Sequence, residues 1–247
     1  MLDQVDSLRV KRRKAIALLD ELAQSVFLDM FGDSDPSWSL AKVADLAQDF
    51  KGSIRTGPFG SQLLHEEFVD SGIAVLGIDN AVQNEFAWQG RRFITEEKFE
   101  KLSRYRVYPG DVLITIMGTC GRCAVVPDDI PISINTKHLC CITLDQEKCL
   151  PDFLHAYFLM HPEARRYLHR TAKGAIMSGL NMGIIKDLPV VLPPVSLQQD
   201  FIDRVLSLKR IKTGLEAHLA ELDALFASLQ HRAFRGELWT EEITPVA

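Results

Sequence analysis

Several things are scarce in this chain, and each scarcity removes a class of function. No apolar run approaches the ~20 residues that a membrane-spanning helix needs, so no membrane role is expected. Met1-Leu2-Asp3 opens nothing like a basic-then-apolar export signal. The five cysteines (Cys120, Cys123, Cys140, Cys141, Cys149) are an odd number, a poor basis for a disulfide framework. Together these features predict a reduced, cytoplasmic setting. The net charge of −5 excludes a surface coated in positive charge but leaves room for local basic patches. Catalytic signatures are missing as well. The Gly57–Ser61 loop is followed by no GKS or GKT, and no HExxH or GxSxG occurs. Pro193-Pro194 follows Leu192, so the Asp/Asn-Pro-Pro-Tyr/Phe tetrapeptide of aminomethyltransferases is absent. His65, His138, His155, His161 and His169 are scattered. Nothing assembles into a catalytic constellation, and no cofactor is implied. The chain reads as a binding protein, not an enzyme.

Cys120-Gly121-Arg122-Cys123 is a CxxC, yet it carries little. A zinc site needs two further ligands at matching spacing, and Cys140 and Cys141 are adjacent. A redox pair should open a helix, whereas the sequence places this one in a β-turn. These cysteines read as small buried residues.

What is present begins with a repeat. Shifting the numbering by 203 sets Leu8, Ile16, Leu19, Leu22, Val26 and Phe31 on Ile211, Leu219, Leu222, Leu225, Leu229 and Phe234, and Ser25 on Ser228. Neither copy contains Pro, and apolar residues recur at three- and four-residue steps, the pattern of a long helix with one sticky seam. Each copy ends on Phe with Gly close behind, a helix stop. Leu19, Leu22, Val26, Leu222, Leu225 and Leu229 are the expected interface residues of these helices.

Between the copies the signals alternate. Trp38–Gln48 predicts a short strand and a helical turn, 73–78 a strand, Thr95–Tyr105 a helix, and Val112–Ile116 a buried strand that returns through Gly118–Gly121 as a hairpin. Leu139–Leu144 reads as a strand, Pro151–Tyr167 as one helix, and Asp187–Pro194 as an extended segment. Ser196 with Gln199 reads as a capping box opening the second long helix. The result is an α+β body between two helices.

Charge is unevenly spread. Arg165–Lys186 contains no Asp or Glu, and its Gly-rich part, 172–182, mixes Lys173, Ser178 and Asn181. The loops 134–138 and 55–62 have a similar blend. Lys173 and Arg170 suit phosphate contacts, Ser178, Asn181, Asn135 and Gln62 suit base edges, and Arg55 and Lys137 complete the DNA-binding candidates. On composition alone, solvated loops fit equally well.

Three motifs add a resemblance. They are Gly110-Asp111-Val112-Leu113-Ile114 with Gly118-Thr119-Cys120-Gly121; Ile185-Lys186-Asp187-Leu188-Pro189-Val190-Val191-Leu192-Pro193-Pro194 with Gln198-Gln199; and Ser228–Leu238. In this order they resemble the specificity (S) subunit of type I restriction–modification enzymes, about half of one. Such subunits carry two target-recognition domains, each followed by a conserved helix, and the two helices pack antiparallel. This chain runs helix, one recognition domain, helix.

The resemblance implies an α+β fold: one target-recognition domain of mixed or antiparallel β-sheet with helices, flanked by two long helices that pair as an antiparallel coiled coil. The implied boundaries are a conserved helix at 1–33, the recognition domain at 37–194, a second conserved helix at 196–236 and a tail at 237–247. It further implies a subunit that reads one half-site of double-stranded DNA and recruits modification (methyltransferase) subunits, with a restriction subunit in a restricting complex. Helices of about 28–30 residues would be roughly 42–45 Å long, somewhat more than one DNA turn. Pairing of the helices within one chain or in a homodimer stays open. The rival reading is a coiled-coil scaffold or adaptor whose α+β body binds protein, and a nucleotide-handling enzyme is a distant third.

Overall fold

The computed structural model describes residues 2–33, 35–173 and 179–236, with side chains at 172 and 173 left out. The chain forms two compact units, one of 1–26 with 203–247 and the other of 27–202.

The first unit is a helix pair built from most of α1 (Leu2–Phe31) and α7 (Val195–Phe234). Arg9 Nε donates to Asp223 Oδ1 at 2.5 Å and Lys212 Nζ to Asp20 Oδ1 at 2.7 Å. In both pairs the residue numbers sum to 232, so the helices run antiparallel within one chain. Arg9 also lies over the Phe226 ring at 4.2 Å. Around this register the sheltered residues recur in alternating steps of three and four. On α1 they are Val5, Arg9, Arg12, Ile16, Leu19, Ala23 and Val26; on α7 they run from Val205 and Leu208 through Leu219 and Leu222 to Phe226 and Leu229. This is the a/d seam of a coiled coil. Of the six expected interface residues, Leu19, Val26, Leu222 and Leu229 belong to it. Leu22 and Leu225 do not: at 45 % and 46 % exposure, they lie with Leu8 and Ile211 on one flank beside the seam. The opposite flank carries Asp6, Arg13, Asp20 and Asp223.

The second unit holds all the strands. β1 (Ser39–Lys42) pairs antiparallel with β10 (Pro189–Leu192). One four-stranded antiparallel sheet has the order β2 (Ile54–Thr56), β9 (Leu139–Ile142), β6 (Val112–Thr115), β7 (Cys123–Val125). The other runs β4 (Phe93–Ile94), β3 (Ile73–Leu76), β8 (Ser133–Asn135), β5 (Arg106–Val107), and its β3–β8 pairing is parallel. The β6–β7 hairpin is the expected one. Leu76 and Val107 of one sheet and Leu113, Ala124, Leu139 and Cys141 of the other share a core, each fully buried large side chain contributing about 1.5–3 kcal/mol. A second core joins Val75, Ile94 and Ile134 to Leu102 of α3 (Glu96–Leu102).

Two helix boundaries depart from the sequence reading. The helix expected over Pro151–Tyr167 is two, α4 (Pro151–Met160) and α5 (Pro162–Lys173). His161, just ahead of Pro162, takes an extended ψ of 132°, because a proline disfavours the helical region for the residue before it. α7 starts at Val195 rather than on a Ser196 cap: the Pro194 carbonyl already accepts from the N–H groups of Leu197 and Gln198. A short α6 (Met182–Lys186) also forms inside the stretch expected to be loop. Near the start of the second unit Phe27 and Phe31 pack on Phe153 and Phe201 with ring centroids 5.1–6.3 Å apart. The repeat's other copy behaves differently, since Phe31 is 1 % exposed and Phe234 is 90 % exposed.

Candidate nucleic-acid interface

Backbone ties gather five segments at one end of the second unit. The Thr136 N–H donates to the Leu76 carbonyl at 2.9 Å, binding the ends of the parallel strands β3 and β8. Gly57 donates to Thr136 at 3.3 Å, and Ile116 to His138 at 2.9 Å. A Cβ at Gly118 would lie 2.9 Å from Ile78 Cδ1, and one at Gly179 would lie 3.5 Å from the Ile116 carbonyl. Segments 57–62, 77–92, 116–121, 136–138 and 179–181 therefore adjoin. Three of them are the polar loops picked out from the sequence. The 77–92 loop and the β6–β7 turn were not. Gly57 is required for this assembly: any Cβ there would sit 2.0 Å from the Asn135 carbonyl oxygen.

The individual residues fare unevenly. Arg55 is buried inside the body: its Nη2 donates to Asp111 Oδ2 at 2.5 Å, its Nε to the Arg106 carbonyl at 2.8 Å and its Nη1 to Thr143 Oγ1 at 2.9 Å. Asn135 is fully buried, donating through Nδ2 to the Leu139 carbonyl at 3.1 Å. Both face the interior and so drop out as groups that meet solvent-side DNA. Composition misled here because Arg and Asn usually stay exposed, and only the topology reveals the buried partners. Gln62 is exposed, its Oε1 accepting from Phe59 N–H at 3.3 Å and Tyr105 O–H at 2.9 Å. Asn181 is exposed at the start of α6 and accepts from Ile184 N–H at 3.0 Å, which makes it a helix cap. Lys137 is half-buried in the 136–138 turn, and Arg170 is exposed on α5. Ser178 and the stretch 174–178 lie outside the described residues, as does the Lys173 side chain.

The electrostatics centre on a residue the sequence reading passed over. Arg92 Nη2 donates to Asp79 Oδ1 at 2.5 Å, with side chains 35 % and 30 % exposed. The pKa of His138 is held below the usual 6.5, first by burial and then by the positive charges of Lys137 and Arg92. Arg91 is exposed on the 77–92 segment, and Arg122 is exposed just after the 116–121 segment. The Arg91-Arg92 dipeptide was the available signal, muted by Asp79 and Glu85 nearby in the sequence.

The cysteines sit elsewhere in the chemistry. Cys123, Cys140, Cys141 and Cys149 are buried, and burial pushes the Cys140 and Cys149 thiols up to about 12. Among the described residues no group of three or more His, Cys, Asp or Glu side chains could hold a metal ion. None of the described helices is long and apolar enough to cross a membrane.

Comparison with known proteins bears on this geometry. Residues 65–222 match the family model described as the type I restriction modification DNA specificity domain. The type I restriction enzyme EcoBI specificity subunit of Escherichia coli is 28 % identical over 174 residues, covering 69 % of this chain and 36 % of that subunit. A chain from a structural study of complex assembly and conformational transition of the type I R-M system aligns with a TM-score of 0.66 at 17 % identity, covering 96 % of this chain and 56 % of that one. The HsdS subunit from Thermoanaerobacter tengcongensis aligns with a TM-score of 0.60 at 17 % identity, with the same coverage. At such identity the likeness concerns the fold. The chain spans about a third of the curated relative and just over half of the solved chains.

Proposed function

Because this chain belongs to the type I restriction modification DNA specificity domain family, we propose that it is a non-catalytic specificity subunit reading double-stranded DNA. The recognition domain would be residues 37–194 and the conserved helices 1–33 and 196–236. The observation that carries this reading is the convergence of five segments, three of them polar loops, with Arg91, Arg92, Arg122, Lys137 and His138 on or next to them, at one end of the strand-bearing unit. Exposed cations supply sequence-independent phosphate affinity, and loop side chains supply base reading. One such domain reads one half-site. A cytoplasmic setting would keep the five thiols reduced.

Binding to a randomised duplex pool across a salt series tests the reading. Enrichment of one short sequence, with affinity falling steeply as salt rises, is the expected result. A chain that enriches nothing and binds without salt dependence would be the scaffold protein of the rival reading.

The partners proposed are modification subunits, with a restriction subunit in a restricting complex, and the exposed flank of Leu8, Leu22, Ile211 and Leu225 is the surface offered to them or to a second copy. Leu225→Asp should abolish partner capture while the helix pair persists. Leu222→Asp places a charge in the seam and should unpair the helices, costing several kcal/mol. Circular dichroism and co-purification separate the two outcomes, and equal behaviour of the two variants would refute the assignment.

A further inference from the structure

Among the described residues, four buried side-chain polar atoms have no hydrogen-bond partner, and all four lie at the loop end of the strand-bearing unit: Asp79 Oδ2, Arg92 Nε, Asn135 Oδ1 and Thr136 Oγ1. Native interiors pair more than about 90 % of such groups. They concentrate where β3 and β8 end side by side, with Leu76 opposite Asn135, which sets this end apart from the rest of the unit.

Arg92 is the group best placed to meet one. Its carbonyl accepts from Val75 N–H at 2.9 Å, which fixes its backbone to β3. Its guanidinium is fixed by Asp79. The pair lies over two glycines: a Cβ at Gly77 would come within 2.4 Å of Arg92 Nη2, and one at Gly90 within 2.1 Å of Asp79 Oδ2. The two unpaired atoms, Asp79 Oδ2 and Arg92 Nε, are the two that would join in the second rung of a side-on carboxylate–guanidinium pair. Side-on pairing of this kind leaves the Nη1/Nη2 edge as a fixed fork of donors. Holding the side chain in advance lowers the entropy lost on binding.

A fixed fork matches either a phosphate or the O6 and N7 acceptors of guanine. Asp79 decides between them. Its negative charge beside the guanidinium opposes an incoming phosphate, and unpaired cations are better suited to that work. A base edge is neutral and meets no such opposition. Resting on the DNA-reading function above, we propose that Arg92 is a specificity-determining residue that reads a guanine in the major groove, with Asp79 as its positioning residue.

The test selects duplexes with the full wild-type chain, then measures affinity for the selected half-site and for variants at each G·C pair. R92A should lose about tenfold to hundredfold on the selected site and become indifferent at one G·C position. R92K keeps the charge but not the fork; it should lose the same discrimination while keeping the salt dependence, and it carries the test if R92A fails to fold. D79N should weaken discrimination at that same position while raising affinity for unrelated DNA, a combination that simple loss of folding cannot give. If R92A weakens all sequences alike and lowers the salt slope by about one, Arg92 is a phosphate contact and the proposal is overturned. Variants that discriminate like wild type overturn it too. A wild-type chain that enriches no sequence overturns the underlying function instead, and the proposal with it.

Discussion

Two arginine–aspartate pairs in the strand-bearing unit have the same 2.5 Å contact and opposite surroundings. Arg55 and Asp111 are 6 % and 0 % exposed, and Asp111 is saturated. Its Oδ2 accepts from Arg55, from Tyr108 N–H and from the Cys141 thiol, and its Oδ1 from Thr143. Arg92 and Asp79 are about a third exposed, and each keeps an unpaired atom. The first pair locks strands together: Arg55 is in β2, Asp111 precedes β6, and Cys141 is in β9. The second terminates in a loop cluster and has binding capacity left. A charged pair whose partners are all internal is architecture; one whose guanidinium is partly exposed at a loop end is available for recognition.

The sharpest way to break this comparison is to cut the buried pair. Asp111→Ala leaves the Arg55 charge stranded in the interior and should cost about 3–5 kcal/mol, read by urea unfolding. A midpoint near wild type would mean that the interior relaxes around the lone charge and that the contrast is one of exposure only.

The same measurement on Arg92→Ala should show a loss below about 1 kcal/mol, as for exposed ion pairs generally, while sequence discrimination falls. A destabilisation as large as that of the buried variant would make both pairs structural.

A smaller effect separates the two ends by pH. His138, whose pKa feels the charge of Arg92, has a folded pKa below its unfolded value of 6.5, so the unfolded chain binds the proton more readily. The stability tied to its neutral form is fully present above pH 6.5 and is lost as pH falls through the folded pKa. Buried His161 shifts in the same direction, chiefly through burial, so it adds to the stability change. DNA affinity distinguishes them: protonated His138 adds a third cation beside Lys137 and Arg92, and binding should strengthen modestly below pH 6.5. His138→Gln should flatten that affinity profile, and an unchanged profile would remove His138 from the interface.

The motifs that carried the family resemblance are legible for a physical reason. Asp111 of Gly110-Asp111 is the saturated buried carboxylate, with Gly110 at a φ of +76°. Gln198, behind Pro193-Pro194, is fully buried, accepting from Leu150 N–H at 2.9 Å and donating to the carbonyls of Lys148 and Pro193. Thr115 and Arg122 close the hairpin around Gly118 and Gly121. These are fold-holding interactions, and such positions tolerate few residue types. Recognition residues have no comparable constraint, which is why Arg92 carried no motif and why Arg55, which looked like one of them, proved internal.

The linear chain by itself determined the two long helices and the β6–β7 hairpin, because heptad spacing and turn glycines act over a few residues, whereas the antiparallel pairing of those helices within one chain was settled by the structure. It offered Leu19, Leu22, Val26, Leu222, Leu225 and Leu229 as apolar contacts, and the seam takes up four of them, leaving Leu22 and Leu225 exposed. Only the tertiary structure decided which polar side chains face outward. That choice depends on strand pairings such as β3 with β8, which join segments some 60 residues apart and bring Asp79, Arg92 and His138 to one end of the unit. Side-chain chemistry is written locally, but burial is set by long-range packing, and burial is what separates Arg55 from Arg92.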